Sequence, residues 1–175
     1  MKILVTSDTH GRHSSLDIAL EQMKPIDMFI HLGDHEDGLN YINEVVDCEK
    51  HMIRGNNDFF SRLPAEKEFY IGEKKVFMTH GHVYKTWKDM DALEEAGRSR
   101  GADIIMFGHA HIPHLEIRPD ITILNPGSLT YPRQIGRLST FILMEVDSSG
   151  DIDYSVYHLE RNTEFVKIEG FCSQS

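Results

Sequence analysis

A chain of 175 residues supports one domain, spanning 1–175, and is long enough to bury a core without disulfide staples. Apolar residues make up 40% and charged residues 26%, a globular rather than disordered balance. Lys plus Arg number 18 against 28 Asp plus Glu, and the net charge of −10 argues against long DNA or RNA as a partner, because such binding neutralises phosphates with cations.

The longest unbroken apolar runs, Ile104–Phe107 and Phe141–Met144, are four residues, far short of a bilayer span, so no membrane is expected as a partner. Met1–Asp8 holds too short an apolar stretch for a signal peptide. Cys48 and Cys172 are the only cysteines, too few for a disulfide framework, which makes a reducing cytoplasm the expected location.

In chain order, Lys2–Ser7 reads as a strand, followed by a polar turn and a helix over His13–Lys24 with Leu16, Ala19, Leu20 and Met23 at helical spacing. Pro25 ends it. Met28–Leu32 is a second strand, Asp37–Val46 a weaker helix, and Met52-Ile53 lies in a third strand. Glu68–Ile71 and Lys74–Met78 form a hairpin around Gly72-Glu73. Thr86–Arg100 has the clearest helical face, with Trp87, Met90, Leu93 and Ala96, and Gly101 as its stop. Strands follow at Ile104–Phe107, Leu115–Ile117 and Ile121–Leu124, and Thr140–Val146 with Ile152–Leu159 closes on a hairpin around Ser148-Ser149-Gly150. Residues after Glu160 are polar and expected to be loosely held, with Phe165, Val166 and Ile168 as the side chains able to dock. Alternating strands and helices followed by a strand-rich end imply an α/β (α+β) layered domain whose sheet finishes in antiparallel strands; that strand-rich end also offers an edge for a homo-oligomer.

Histidine occurs 11 times, more often than Met (8), Pro (6) or Tyr (6), and its placement is not random. Five times an apolar strand stops and a polar cluster follows at once: Asp8/His10, Asp34, Asn56, His80 and His109/His111. The clusters recur at about the length of one strand–connection–strand unit. Parallel strands end on one edge of a sheet, and ligands of open α/β sheets bind outside those ends. Asp8-x-His10 and His109-x-His111 fit this, since alternate residues of an extended segment point the same way. Any one cluster alone would be read as a helix cap or a surface turn; the ordered set points to a site. Two carboxylates, four imidazoles and one amide oxygen suit Mn, Fe, Ni or Zn better than Mg or Ca. That is too many donors for one tetrahedral metal, but enough for two sharing a carboxylate.

Asp8-Thr9-His10, Gly33-Asp34, Gly55-Asn56-Asn57-Asp58, Thr79-His80-Gly81-His82 and Gly108-His109-Ala110-His111 together resemble the signature of calcineurin-like metallophosphoesterases. The short chain and Asn125-Pro126-Gly127-Ser128 resemble its small bacterial and archaeal branch, the YfcE family. The resemblance runs from residue 3 to about 133. It implies a β-sandwich flanked by helices, in αββα layers, with a dinuclear centre. It also implies that Asp8, His10 and His111 hold one metal, Asn56, His80 and His109 the other, and that Asp34 bridges them. Mn is the metal expected first.

Two metals about 3.5–4 Å apart can activate a shared water, hold phosphate oxygens and align an in-line attack, so no protein nucleophile is needed. The expected activity is hydrolysis of a small phosphodiester. Larger family members carry His after the Gly-Asn pair, as a proton donor to the leaving group; here the position is Asn57, which cannot supply a proton near neutral pH. Asp58 would orient a neighbour, and His82, His35 and His13 are the substitutes for the missing acid. Losing a general acid costs about 10²–10⁴-fold, most of it on poor leaving groups. Arg133 and Arg12 are candidates for contact with substrate phosphate. A second reading comes from the retromer subunit of the same fold, a scaffold, which makes a protein-interaction module with little catalysis the alternative.

Overall fold

Ile3, Leu4 and Val5 are all fully buried, which is why strand β1 (Lys2–Thr6) reads as an unbroken apolar run: both faces of its sheet are covered. Alternate residues serve different layers. Ile3 and Val5 join Ile30, Val76, Met78, Met106, Leu124 and Ile142 in a core shared by two sheets. Leu4, Phe29 and Phe141 face the other way and pack with Leu16, Leu20 and Ile42 of helices α1 (Ser14–Met23) and α2 (Leu39–Val45). On the far side, Phe77, Ile105 and Ile123 pack against Leu93 of α3 (Asp91–Ser99). Two sheets flanked by helices, the expected αββα layering, result. The computed structural model behind this description covers residues 1–86 and 90–171.

The first sheet runs β11 (Glu164–Lys167), β10 (Ile152–Glu160), β9 (Thr140–Val146), β1, β2 (Met28–His31), β3 (Glu49–Met52). The second runs β4 (Glu66–Ile71), β5 (Lys74–Thr79), β6 (Ile104–Met106), β8 (Thr122–Pro126), β7 (Pro113–Ile117). β1, β2 and β3 are mutually parallel, as are β5, β6 and β8. The carboxyl ends of both trios open on one edge of the sandwich, where their loops bond across: Asp8 N–H to Gly33 O at 3.0 Å and Gly108 N–H to His80 O at 3.1 Å.

The two hairpins form where expected, with Ile71 opposite Lys74 and Val146 opposite Ile152. Three elements differ. Asp37–Val46 splits into a 3-10 turn over Glu36–Gly38 and a helix that starts at Leu39. Of the helix expected over Thr86–Arg100, the structure has Asp91–Ser99; Trp87, assigned to its apolar face, lies outside the described residues. Beyond Glu160 the chain adds β11, antiparallel to β10, with Phe165 buried against Phe141 at a ring distance of 4.6 Å. Phe165, whose burial is worth about 1.5–3 kcal/mol, docks the segment together with Ile168, which packs on the inter-sheet core, and the Gln22 side chain, which bonds both backbone groups of Phe165. Val166 belongs to the same strand, but its side chain faces solvent. No helix among the described residues is long and apolar enough to cross a membrane.

Candidate metal centre

The loops beyond β1, β2 and β6 reverse within a few residues, and they do so through left-handed backbone. Asp8 (φ 56°), His10 (45°), Asp34 (56°), His109 (63°) and His111 (57°) all adopt it. The expectation that Asp8-x-His10 and His109-x-His111 converge as alternate positions of an extended segment is therefore wrong. Tight turns do the aiming. Asp and His are among the non-glycine residues that tolerate this region best. Space is equally tight. A Cβ on Gly55 would lie 2.1 Å from Asp34 Oδ1, and one on Gly108 2.3 Å from Ser7 Oγ, so only glycine lets these loops close.

The side chains meet in two overlapping groups, Asp8–His10–His111 and Asp8–Asp34–His80, with donor atoms within 4.8 Å of one another in each. His111 Nε2 is 3.0 Å from Asp8 Oδ1, and His10 Nε2 is 3.4 Å from His111 Nε2. Asp34 Oδ2 lies between the groups, 3.9 Å from His10 Nε2 and 3.5 Å from His80 Nε2. The His109 ring packs 5.2 Å from that of His80, and its backbone N–H reaches Asp8 Oδ2. Asn56 follows the glycine that abuts Asp34, and its Oδ1 is buried without a hydrogen-bond partner.

The outward nitrogens of three imidazoles are fixed. Nδ1 of His80 donates to Leu32 O and Nδ1 of His111 to Tyr131 O, each at 2.7 Å, and Nδ1 of His10 sits 2.7 Å from Glu36 Oε1. A carbonyl can only accept, so Nδ1 of His80 and His111 carries the proton, and Nε2 turns a lone pair inward when the ring is neutral. There it meets more acceptors: Asp8 Oδ1 and His80 Nε2 are buried and make no hydrogen bond. Lone pairs facing lone pairs in a buried cluster need positive charge between them. The donor set and the orphaned atoms thus fit a bound cation.

Titration tells the same story. Burial alone would raise the Asp8 carboxyl, but the close approach of the His111 ring and the charges of His80 and His111 hold it below the usual carboxylate range. Asp34 is likewise held well down against its own burial by His80 and by the Asn57 N–H. Burial lowers His80, yet Asp34 and Asp8 outweigh it and keep the ring above the ordinary histidine value: a proton answers the negative charge a cation would answer. His109 goes the other way, to about 4, through burial and the neighbouring His80 charge.

Other expected site residues occupy supporting positions. Asp58 accepts backbone N–H groups of Asp34 and Gly55 on Oδ2, at 2.7 Å each, and of Glu36 on Oδ1 at 2.6 Å, clamping two loops together. His82 sits 5.5 Å from the His80 ring and 6.0 Å from that of His109, its Nδ1 buried without a hydrogen bond. His35 is engaged by Asp58 and Ser61, and His13 stacks on Tyr41 at 3.9 Å. Arg12 lies over the Tyr131 ring at 5.1 Å, on the flank of His10. Arg133 bonds His111 O through its backbone N–H, while its side chain lines a cavity of about 620 Å³ with Ile112, Ile135 and Leu138. Sequence reasoning missed Glu36, Tyr131 and the grip of Asn57, whose N–H and Nδ2 bond the two oxygens of Asp34 at 2.8 and 2.6 Å.

The model of the calcineurin-like phosphoesterase superfamily domain matches residues 1–149. The chain belongs to this superfamily. Among curated relatives, the probable metallophosphoesterase YsnB of Bacillus subtilis is 30% identical over 149 residues, covering 85% of this chain and 86% of its own. Among solved structures, a conserved Streptococcus pneumoniae protein described as a predicted phosphoesterase superposes with a TM-score of 0.76 at 27% identity, over 97% of this chain and 93% of its own. Vps29 of Entamoeba histolytica, complexed with zinc, gives 0.77 at 25% identity, over 95% and 99%. The calcineurin-like phosphoesterase fold and a group of candidate metal ligands are thereby in place.

Proposed function

We propose that the chain is a phosphodiesterase that uses two divalent transition metals, with Mn first and Ni, Fe or Zn as alternatives, to hydrolyse a small phosphodiester in the cytoplasm. The observation that carries the reading is the inward convergence of acceptor atoms from four strand ends, with Asp8 Oδ1 and His80 Nε2 buried and without a hydrogen-bond partner. Asp8, His10 and His111 would hold one cation, Asn56, His80 and His109 the other, and Asp34 would be shared. Bound there, such a pair lowers the pKa of a shared water and offsets the charge that grows on phosphate oxygens.

The chain's own groups set the rest. Carbonyls of Leu32 and Tyr131 keep two imidazoles in the donor tautomer. Arg12, which lies over the Tyr131 ring at the flank of His10, would meet a phosphate oxygen. Asn57 spends its amide on Asp34 and offers no proton to a leaving group, so substrates that leave unaided are favoured.

Two measurements test this. Elemental analysis of the purified protein should give about two transition-metal ions per chain, with a marked loss in Asp34→Asn. Metal-loaded protein should turn over bis-aryl phosphodiesters faster than alkyl phosphomonoesters; a strong preference for the monoester overturns the substrate assignment. Vps29, whose name refers to vacuolar protein sorting, supports a second reading as a protein-interaction module, and a metal-replete protein inert toward every phosphate ester favours it.

A further inference from the structure

We infer that Glu36 is a positioning residue, which holds His10 in the orientation and tautomer that lets it ligate a cation. The inference rests on the metal-holding part of the reading above and not on its hydrolysis. Three observations converge on it.

Glu36 Oε1 is 2.7 Å from His10 Nδ1, across 26 residues of sequence. The other ring nitrogen then points into the cluster, with His111 Nε2 at 3.4 Å, Asp8 Oδ1 at 3.8 Å and Asp34 Oδ2 at 3.9 Å. A carboxylate on the outer nitrogen fixes which nitrogen carries the proton and makes the inner one a stronger donor. His80 and His111 receive only neutral carbonyls at the same position.

The backbone at Glu36 is left-handed, φ 53°. Glutamate lacks the short polar side chain that lets Asp and Asn bond locally there, so the conformation is strained. Backbone strain of this kind persists only where the surroundings over-determine it. Here they do: the Glu36 N–H donates to Asp58 Oδ1 at 2.6 Å, while His10 N–H bonds Asp34 O at 2.9 Å and Gly11 N–H bonds His35 O at 3.2 Å. Finally, the Glu36 side chain is 41% exposed while His10 is only 9% exposed, so the carboxylate reaches inward from the rim and is not trapped by packing.

The test titrates metal-free protein with Co(II) chloride against a chromophoric chelator and needs no substrate. Glu36→Ala and Glu36→Gly should each weaken one of two cation positions about 10–100-fold and leave the other unchanged. Glu36→Gln, which still accepts the hydrogen bond but lacks the charge, should fall between. Glu36→Gly is the decisive variant. Glycine adopts this backbone freely, so the metal-free melting temperature should hold or rise while cation affinity falls. A merely structural glutamate would lower both together, and that result, or unchanged affinity in Glu36→Ala and Glu36→Gly, or a wild type that takes up no Co(II), overturns the proposal. A wild type that binds Co(II) and shows the Glu36 effect yet hydrolyses no diester overturns phosphodiesterase activity alone.

Discussion

The two ends of the sandwich handle sharp turns in opposite ways. At the end away from the metal centre, Gly72, Gly101 and Gly150 take the positive φ, and a Cβ built on any of them meets nothing within 4 Å. At the other end, Asp8, His10, Asp34, Glu36, His109 and His111 take it as well as Gly11 and Gly33, while Gly55 and Gly108 serve for space. The first arrangement is cheap. The second costs more, up to about 1–2 kcal/mol for a residue such as Glu36 and less for Asp and His. Sheets buried on both faces can sustain that load, because the strands feeding the strained loops are fixed by three layers of packing. Strain is concentrated where ligand atoms must be aimed.

Substituting one glycine at each end should separate the two regimes. Gly55 has no positive φ to defend, but an added Cβ would lie 2.6 Å from Asp34 N and closer still to its carboxylate. Gly55→Ala should push the 33–36 and 55–58 loops apart, breaking the Asp58 clamp. We expect a loss of about 3 kcal/mol, or roughly 6–12 °C in melting temperature, together with metal uptake. Gly150→Ala meets no neighbour and suffers only the backbone conformation, φ 90°. It should cost about 1 kcal/mol, roughly 2–4 °C, with metal uptake untouched. Equal losses would erase the distinction between the ends.

A smaller effect comes from pH. His31 is fully buried behind the centre, its Nδ1 accepting from Gly33 N–H and its Nε2 3.0 Å from Thr9 Oγ1. Burial, and then the charge of His35, lower its pKa to about 3 from an ordinary 6.5. The unfolded chain therefore binds a proton that the folded chain refuses. Stability present above pH 6.5 is lost as pH falls toward 3, by about 1 kcal/mol between pH 6 and pH 5 from this one ring. Melting curves of metal-free protein should show that slope, and His31→Gln should flatten it. A slope unchanged in His31→Gln would place the acid sensitivity elsewhere.

The same contrast explains what the sequence disclosed. Asp8, Asp34 and His80 each stand just past an apolar strand, so a one-dimensional pattern suffices to mark them as candidate ligands, and parallel strands bring them together. Glu36 and Tyr131 act on residues 26 and 20 positions away, and neither belongs to a spacing that chemistry demands. Their role arises only when two turns meet. The left-handed backbone of Asp8-x-His10 was equally hidden, because residue types tolerant of that region are also common in plain extended loops. At the far end of the chain β11 was hidden for another reason: only one of its four side chains is buried, too thin a pattern to read as a strand.

The smallest expected effect isolates what holds the third loop. Phe59 and Phe60 follow the Asp58 clamp and are 81% and 99% exposed, at the two corners of a turn closed by Ser61 N–H to Asp58 O at 3.1 Å. Turn corners usually carry Gly, Asn, Asp or Ser, and phenyls there bury nothing in the folded chain. The loop is instead closed by backbone, with Arg54 N–H on Pro64 O at 2.9 Å and Gly55 N–H on Asp58. Phe59→Ser with Phe60→Ser should therefore shift stability by no more than about 0.5 kcal/mol and leave Co(II) uptake intact. A melting temperature lowered by several degrees would mean that the phenyls, and not the Asp58 hydrogen bonds, keep this loop against Asp34.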